Sequence, residues 1–431
     1  MYSMKKKSIF MIGWEYPPHI TGGLGIACQG IAKALGNLGH SVHLLLPRLF
    51  GNEENSSNLE LFDVKGKLSS LSKDEIESIG FFHLLNNPHD IISAYNSEDY
   101  IPVEENKKIL LHEILAPDTV LMSGGYGPNL YNEIHTYARF AESISTRMNF
   151  DVIHVHDWMT YPAGLAVMAK TGKPLICHVH ATEFDRSGEK VNQYVYDLER
   201  NAFERCTKII TVSNYTKNLL INRYGINPDK IQAVHNAVEF EIPAGMVQEP
   251  KMFDDKLILF LGRITFQKGP DYFVRAAKIV IEKLSNVRFV MVGTGDMYHR
   301  MIELAADLGI GKYFHYTGFL NREQVRYIYS ISDLYVMPSV SEPFGISPLE
   351  AMMHGIPVIV SKQSGVSEIL NSAVKVDFWD VDDLAAQIVR LISDPDLSDN
   401  IKDMAQTELE SITWEDSARK VSQVYDSMDH A

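Results

Sequence analysis

The stretch SEPFGISPLEAMMHGIPVIV, residues 341–360, carries two glutamates eight positions apart with Gly345 and Pro348 between them. The apolar run DLYVMPS leads into Glu342, and Glu350 lies in a helix-forming segment. The pattern predicts a buried strand, a tight loop and the N-terminus of a helix. Such a loop can present backbone N–H groups to an anion, while its carboxylates bind sugar hydroxyls. A structural role is the alternative, because a first-turn helix charge and a solvated glutamate have the same spacing.

The same alternation of short apolar runs and helical patterns recurs along the chain. The runs are apolar throughout, as expected of strands that are buried on both faces. Amphipathic segments of about 10–15 residues separate most of them. Repeated βα units of this kind predict an α/β protein with doubly wound parallel sheets. The runs are SIFMIG, SVHLLLP, DVIHVHD, PLICHVH, KIITVS and IQAVHN in the first half, and KLILFLG, RFVMVG, YFHYTG, DLYVMPS and PVIVS in the second.

The chain has 431 residues, too many for a single hydrophobic core. Residues 238–256 are rich in proline, glycine and charge and lack periodicity, so they predict a boundary between domains at 1–240 and 241–412. Residues 413–431 form a further amphipathic helix with Thr413 as its N-cap. Residues 50–125 interrupt the pattern as a polar, irregular insertion, which either has no role or borders a site.

Composition limits the classes of function. The chain is 45% hydrophobic and 22% charged with a net charge of −15, which argues against nucleic acid as the main partner. Cys28, Cys177 and Cys206 lack CxxC spacing, which indicates buried, inert thiols in a reducing, cytoplasmic setting. No run approaches the ~18 apolar residues of a transmembrane helix, and SIFMIG is too short for a signal sequence. The sequence gives no indication of oligomeric state.

Glycines follow the first predicted strand. Gly22 and Gly23 precede a helix, where they would let backbone amides approach an anion closely. A dinucleotide fingerprint requires a third glycine, but Cys28 stands at that position, so an NAD site is not expected. A tight turn that needs a positive φ is the structural alternative.

Two cations follow the predicted strand KLILFLG. Arg263 and Lys268 lie at its carboxyl end, which is where ligands bind in open α/β sheets. Arginine offers a planar fork to phosphate, and lysine a mobile point charge. The alternative is a pair of solvated surface cations.

Histidines mark the ends of two neighbouring predicted strands. His154, His156, Asp157 and Trp158 end one, and His178 and His180 end the next. Zinc binding lacks a third ligand at a fitting spacing, so a sugar-stacking Trp158 beside a hydrogen-bonding Asp157 is favoured. By position, His180 faces the cleft, whereas His178 is expected in the core. Core histidines with satisfied nitrogens are the alternative for all four.

The Asp380–Val381–Asp382 sequence resembles a metal–diphosphate motif. It precedes the helical segment DLAAQIVRLI, where aspartates serve as the N-cap and first-turn charge. We interpret it as capping. With no other metal cluster evident, the sequence predicts no metal and no cofactor.

Together, GRITFQKG, SEPFGISPLEAM and HDW resemble the retaining nucleotide-sugar glycosyltransferases of the GT-B fold, and glycogen and starch synthases most of all. The resemblance covers nearly the whole chain except residues 50–125. It implies two facing Rossmann-like domains around an interdomain cleft, with the final helix crossing back to the first domain.

The resemblance also implies a role for each matching residue. Arg263 and Lys268 would hold the donor diphosphate, Glu350 its ribose, and Glu342 the hydroxyls of the transferred sugar. His180 would lie near the reacting carbon, which gives a catalytic set of His180, Arg263, Lys268 and Glu342. The remaining contacts would be the amides of Gly345, Ile346 and Ser347 to the donor, Gly22 and Gly23 to the diphosphate, and Asp157 and Trp158 on the acceptor side.

The expected activity is transfer of a hexose, glucose in the first place, from a nucleoside diphosphate-sugar to an acceptor hydroxyl with retention. An α-glucan is one acceptor that the resemblance implies. Ile20 stands where bacterial synthases carry lysine, which weakens glycogen as the product. The alternatives are a nucleotide-sugar epimerase or a phosphorylase on the same fold, and a non-catalytic nucleotide-sugar-binding protein. The donor base, the sugar and the acceptor are not fixed by the sequence.

Overall fold

The computed structural model describes residues 5–19, 22–54, 56–67, 74–75, 122–239 and 254–428. These residues form two sheets of parallel strands, which confirms the predicted α/β fold class. The first sheet has the order β3-β2-β1-β4-β5-β6-β7 and the second β10-β9-β8-β11-β12-β13. The strands are β1 Ser8–Ile12, β2 Ser41–Leu46, β3 Leu59–Asp63, β4 Val152–His156, β5 Leu175–Val179, β6 Lys208–Thr211, β7 Ile231–Ala233, β8 Lys256–Leu261, β9 Val287–Val292, β10 Phe314–Gly318, β11 Leu334–Met337, β12 Val358–Ser361 and β13 Val374–Val376.

Helices connect most successive strands, and polar caps fix where several of these helices begin. At one of these, the side chain of Asn321 accepts a hydrogen bond from Gln324 N at 2.9 Å. The helices are α1 Gly23–Asn37, α2 Val64–Lys67, α3 Leu130–Ser145, α4 Tyr161–Thr171, α5 Glu183–Ser187, α6 Gln193–Arg205, α7 Asn214–Leu219, α8 Pro270–Ile281, α9 Tyr298–Asp307, α10 Arg322–Ser330, α11 Ser347–Met353, α12 Val381–Ser393, α13 Pro395–Leu409 and α14 Trp414–Ser427.

Every apolar run quoted above forms a strand, but two strands were not predicted. Both β3 and β13 are edge strands. The segment 50–125 is therefore not irregular throughout, because residues 59–63 pair with β2. The sequence LELFD lacks the continuous apolar character of a strand that is covered on both faces, since an edge strand is only partly covered. Most of the predicted insertion, residues 68–73 and 76–121, lies outside the described residues.

The strand order reverses between β1 and β4 in the first sheet and between β8 and β11 in the second. At such a point the flanking helices leave to opposite faces of the sheet and open a crevice at the carboxyl ends of the strands. The loops after β1 and β4 carry Gly22 and Asp157, whereas the loops after β8 and β11 carry Lys268 and Glu342. The predicted site residues thus follow the strands that border both crevices.

The last helix, α14, packs against α1 of the first sheet. Gly30 makes this close approach possible, because an added Cβ would lie 2.2 Å from the ring of Trp414. The Tyr425 hydroxyl lies 2.6 Å from His154 Nδ1. Thr413 is confirmed as the N-cap, since its Oγ1 accepts a hydrogen bond from Asp416 N at 3.2 Å. The predicted domain boundary at 238–256 falls largely on residues 240–253, outside the described residues.

The predictions for the cysteines, for Asp380 and for membrane-spanning helices concern residues outside the site. The three cysteines are buried, as predicted, and burial raises the pKa of the Cys28 thiol to about 12. Asp380 is confirmed as a cap, because its carboxylate accepts a hydrogen bond from Asp383 N at 3.0 Å. In the part of the chain that the structure describes, no helix has the length and apolar character needed to cross a bilayer.

Candidate active site

Lys268 and Glu342 form an ion pair at the carboxyl edge of the second sheet. Lys268 ends a short 3-10 turn, Phe266–Lys268, that follows β8. The backbone carbonyl of Gln267 accepts hydrogen bonds from Val340 N at 2.9 Å and Ser341 N at 3.3 Å, which joins this turn to the loop that carries Glu342. Glu342 is only 6% exposed, so its carboxylate has little freedom. The pair therefore places the lysine ammonium at a defined point of the crevice.

Arg263 is the second cation of this edge. Its side chain is exposed, and its Nη2 donates a hydrogen bond at 3.0 Å to Oε1 of the buried Gln267. Since a guanidinium has five N–H donors in one plane, this contact orients the group and leaves its fork able to bind an anion. Gln267 thus supports both loops and one of the cations, a role that the sequence did not reveal.

Gly345 shapes the loop between Glu342 and α11. Its φ of 101° lies in the left-handed region, and an added Cβ would lie 3.1 Å from Met337 Cε and 3.2 Å from Glu342 Cγ. The turn leads into the first residues of α11, where N–H groups lack acceptors within the helix. An added Cβ on Gly23 would lie 3.6 Å from Ile346 Cδ1, so the glycine loop of the first sheet faces this turn.

Glu350 is held in the first turn of α11. The hydroxyl of Tyr329 donates to its Oε2 at 3.3 Å and lies at the same distance from the backbone carbonyl of Ser347. Burial raises the pKa of Glu350, and the hydrogen bond from Tyr329 opposes that rise. A carboxylate held in this way can accept hydrogen bonds from ligand hydroxyls with a fixed direction. Tyr329 was not predicted as part of the site.

Asp157 directs the loop that carries His180. Its backbone has a φ of 61°, and its buried Oδ1 accepts hydrogen bonds from His180 N at 2.6 Å and Ala181 N at 3.3 Å. Burial raises the pKa of Asp157 to about 7, although Arg186 and these two amides oppose the rise. The carboxylate thus has a structural role, and its contact with an acceptor stays a prediction. Trp158 is 8% exposed, which leaves little ring surface for stacking on a sugar.

The four histidines of β4 and β5 form one buried cluster. His156 Nδ1 lies 2.9 Å from His180 Nε2, and His154 Nε2 lies 3.1 Å from His178 Nδ1. Burial lowers the pKa of both His154 and His180 to about 3, so the cluster is neutral near pH 7. His180 therefore brings no positive charge to a ligand, and its Nδ1 is buried. In the described part of the chain, the second ring nitrogens of His156, His178 and His180 have no hydrogen-bond partner, so the expectation of satisfied nitrogens is met only by His154.

The cluster also supplies the third metal-ligand candidate that the sequence lacked. One nitrogen each of His154, His156 and His178 lies within 4.8 Å of the others. Both nitrogens of His154 are already hydrogen-bonded, to Tyr425 and His178, so a metal would have to displace one of these partners. His156 and His178 each keep one nitrogen without a hydrogen-bond partner among the residues that the structure describes, so the expectation that no metal binds stays a prediction.

The buried histidines predict a loss of stability in mild acid. Burial holds the pKa of His178 well below its ordinary value of about 6.5. Below pH 6.5 the unfolded chain therefore takes up a proton that the folded chain does not, and the free energy of unfolding falls by about 1.4 kcal/mol per pH unit for each such histidine. His178→Leu should flatten the pH dependence by about that amount between pH 6 and 5, measured by urea unfolding.

A comparison between variants is needed because buried carboxyls act in the opposite sense. Asp157 and Glu199, whose pKa values burial raises to about 7, add stability as the pH falls through 7. Both carboxyls are present in the wild type and in His178→Leu, so their effects cancel when the pH dependence of the free energy of unfolding is compared between the two proteins. His315→Leu, at an exposed position in β10, is the control and should leave the slope unchanged. An unaltered slope in His178→Leu would contradict the assignment of neutral buried histidines.

Hydrogen bonds also join the two sheets beside the site. Ser341, next to Glu342, donates to the carboxylate of the buried Asp185, and its Oγ lies 2.9 Å from the hydroxyl of Tyr215. Glu368 accepts from Asn214 N at 2.9 Å at the start of α7. These contacts were not predicted, although Thr182 and Asp185 have the spacing of a capping box, which the structure shows. They hold the elements that follow β5 and β6 against those that follow β11 and β12.

Models of two glycosyltransferase families match this chain. The family model described as glycosyl transferases group 1 matches residues 245–408, and that described as glycosyltransferase family 4 matches residues 102–242. The chain belongs to the group 1 glycosyltransferases. The first match contains the whole second sheet with both cations and both glutamates, and the second contains β4 to β7 with the histidine cluster.

Relatives of this glycosyltransferase extend over nearly its full length. An uncharacterized glycosyltransferase of Methanocaldococcus jannaschii is 29% identical, with 97% of each chain covered. The glycogen synthase of Mycobacterium tuberculosis is 23% identical over 97% of this chain and 94% of its own. The solved sucrose-phosphate synthase of Thermosynechococcus elongatus is 17% identical, covers 99% of this chain and 100% of its own, and superposes with a TM-score of 0.69. The predicted GT-B fold is confirmed by this likeness.

Proposed function

We propose that this glycosyltransferase moves a hexose from a nucleoside diphosphate-sugar to an acceptor hydroxyl with retention of the anomeric configuration. The observation that carries the proposal is the Lys268–Glu342 pair beside Arg263, at the carboxyl edge of β8 and β11. The glycine loop after β1 approaches the same edge from the other sheet. A diphosphate needs cations, and a sugar needs hydrogen-bond acceptors; both kinds of group meet here.

Breaking the sugar–phosphate bond places negative charge on the leaving diphosphate. Arg263 and Lys268 are fixed by Gln267 and Glu342, so they need little rearrangement as that charge develops. Cations that are oriented in advance stabilise a transition state more than mobile surface charges do. On this account the two side chains, aided by the amides of Gly345, Ile346 and Ser347, replace a metal ion.

Retention follows if the acceptor attacks from the face that the diphosphate leaves. The leaving phosphate then takes the acceptor proton, and no enzymic base is required. We place His180 near the reacting carbon of the sugar as a neutral group, because burial lowers its pKa to about 3. Glu342 binds the sugar hydroxyls, and Glu350 binds the ribose.

Glucose is the hexose that we favour, with an α-glucan as one acceptor. The support comes from the similarity to the mycobacterial glycogen synthase.

The test is a thermal-shift panel of ADP-, UDP- and GDP-sugars, followed by a release assay with the best donor in EDTA. We expect one donor to raise the melting temperature and its nucleoside diphosphate to be released when an acceptor is added. Conversion of the donor without release of nucleoside diphosphate would indicate an epimerase. Donor binding without turnover, with or without an acceptor, would indicate a non-catalytic protein. Loss of activity in EDTA would overturn the metal-free mechanism.

Glu350→Ala should weaken donor binding. A charged hydrogen bond to a ribose hydroxyl is worth about 2 kcal/mol, which corresponds to a dissociation constant ~30-fold higher, with a smaller effect on kcat. Isothermal titration with the best nucleotide-sugar measures it. Glu303→Ala, at an exposed position of α9, is the matched control. Unchanged donor affinity in Glu350→Ala would reject the ribose contact.

A further inference from the structure

Two tyrosines on the first sheet's helices form an exposed aromatic corner. Tyr131 of α3 is 40% exposed and Tyr194 of α6 is 39% exposed. Their ring centroids are 4.8 Å apart and the ring planes meet at 78°. We call these two residues the tyrosine pair. The two rings pack edge-to-face and remain open to solvent, so they form a small contiguous aromatic surface.

Both rings are held by hydrogen bonds at their hydroxyls. Asn192 Nδ2 donates to the Tyr131 hydroxyl at 3.1 Å, and the Tyr194 hydroxyl lies 2.6 Å from His135 Nε2. The rings therefore have less rotational freedom to lose when something stacks on them, which favours binding. Each hydroxyl already has a protein partner, so the exposed surface on offer is chiefly the aromatic faces.

The tyrosine pair is continuous with the candidate site by two routes. The Tyr131 ring lies 6.1 Å from the ring of Trp158, the residue after Asp157, whose carboxylate accepts from His180 N. Asn192 N donates at 2.9 Å to Glu183, which begins the helix that follows His180. The tyrosine pair therefore contacts residues that flank the loop of His180.

We propose that the tyrosine pair binds the sugar units of an oligosaccharide acceptor that precede the unit in the cleft. This deepens the proposed function and rests on it. Pyranose rings present a face of C–H groups to the negative face of an aromatic ring and hydroxyls at their edges. A corner of two rings with an amide and an imidazole at its rim suits this chemistry.

Charge and size favour a neutral glycan over other occupants. The side chains that hold the hydroxyls are an amide and His135, whose pKa is lowered by burial and by the charge of Arg139. Arg139 is itself paired with Glu142 at 3.7 Å, so these side chains bring no unpaired cation for a phosphate headgroup. An aromatic side chain contributes at most about 250 Å² of contact, so two half-exposed rings fall well short of the ~1,200 Å² of a stable protein interface. A chain of a few sugars matches the available surface.

The experiment is binding of the full chain to an array of neutral oligosaccharides of one to seven units with α or β linkages. We expect at least one oligosaccharide to bind more tightly than its monosaccharide. Tyr131→Ala and Tyr194→Ala should each weaken that binding about fivefold, on the scale of one aromatic contact. Tyr194→Phe should retain most of it because the ring remains. Tyr327→Ala, at a tyrosine of α10 that is 52% exposed, should bind as the wild type does.

The proposal is overturned if no oligosaccharide is preferred over its monosaccharide, or if both alanine variants bind like the wild type with unchanged unfolding midpoints. The proposal would also be overturned if the wild-type protein bound phosphatidylglycerol vesicles and both alanine variants did not, because the tyrosine pair would then bind a membrane surface. The array contains no donor, and the donor panel contains no glycan. The array therefore tests the proposed role of the tyrosine pair, and the donor panel tests the proposed function, so that the failure of one can be distinguished from the failure of the other.

Discussion

Lys268→Ala should lower kcat of the transfer reaction by 10²-fold or more. The ammonium is placed by Glu342 at the carboxyl edge of β8, where the account puts the leaving diphosphate. Loss of one charge contact that is oriented in advance costs roughly 3 kcal/mol in the transition state. Because the contact strengthens as the bond breaks, kcat should fall more than donor affinity does. Steady-state release of nucleoside diphosphate, with the best donor from the panel, measures both.

The chain offers a matched control for this variant. Lys362 follows β12 of the same sheet and pairs with Asp377 at 2.8 Å, but its side chain is 51% exposed against 22% for Lys268. Lys362→Ala removes a lysine from a comparable but more exposed ion pair, after a strand that does not border the crevice, and it should leave turnover within about twofold. Near-normal turnover of a folded Lys268→Ala protein would reject the assignment of the leaving-group site.

Glu342→Gln should lower kcat about 10²-fold while nucleoside diphosphate binding is kept or tightened. A charged hydrogen bond to a sugar hydroxyl contributes up to about 3 kcal/mol, and the amide replaces it poorly. The same carboxylate contacts the Lys268 ammonium, so it competes with a diphosphate for that cation. Removing the negative charge therefore lowers transfer and does not lower affinity for the sugar-free product. Titration with nucleoside diphosphate, next to the release assay, separates these effects.

Asp377→Asn is the control, since it removes the acidic partner of the Lys362 pair and should affect neither measurement. In the double variant Lys268→Ala/Glu342→Gln, the two reductions in kcat should not add, because Lys268 and Glu342 contact each other. We expect its kcat to lie close to that of Lys268→Ala alone. If Glu342→Gln lost diphosphate affinity and retained kcat, the carboxylate would serve only to hold the lysine.

The sequence predicted the two sheets because their central strands are buried on both faces and appear as continuous apolar runs. Once the strands are predicted, their carboxyl ends are known. The residues that follow these ends and line each crevice, such as Lys268, Glu342 and Asp157, can then be predicted as well. The edge strand β3 escaped prediction because its pattern alternates weakly. Its partner β2 is the strand that precedes it in the chain, so the weak pattern reflects partial coverage at the sheet edge and not a distant partner.

The supporting contacts of the site could not be predicted, because a local pattern does not record which side chains meet in the folded chain. Gln267 holds Arg263 and the loop of Glu342, and Tyr329 holds Glu350, through pairings set by how the loops fold together. Asp157 matched a motif, yet its buried carboxylate binds the backbone of the next strand's loop. A motif identifies a position in the fold, whereas the partner of its side chain depends on tertiary structure.

The central claim is tested most directly by a crystal structure of this glycosyltransferase with the nucleotide-sugar that stabilises it best. We predict that the diphosphate lies within hydrogen-bonding distance of Lys268 and Arg263, with the ribose on Glu350 and the hexose between Glu342 and His180. Density for the donor at any other place, or a diphosphate held by a metal ion away from these cations, would contradict the account.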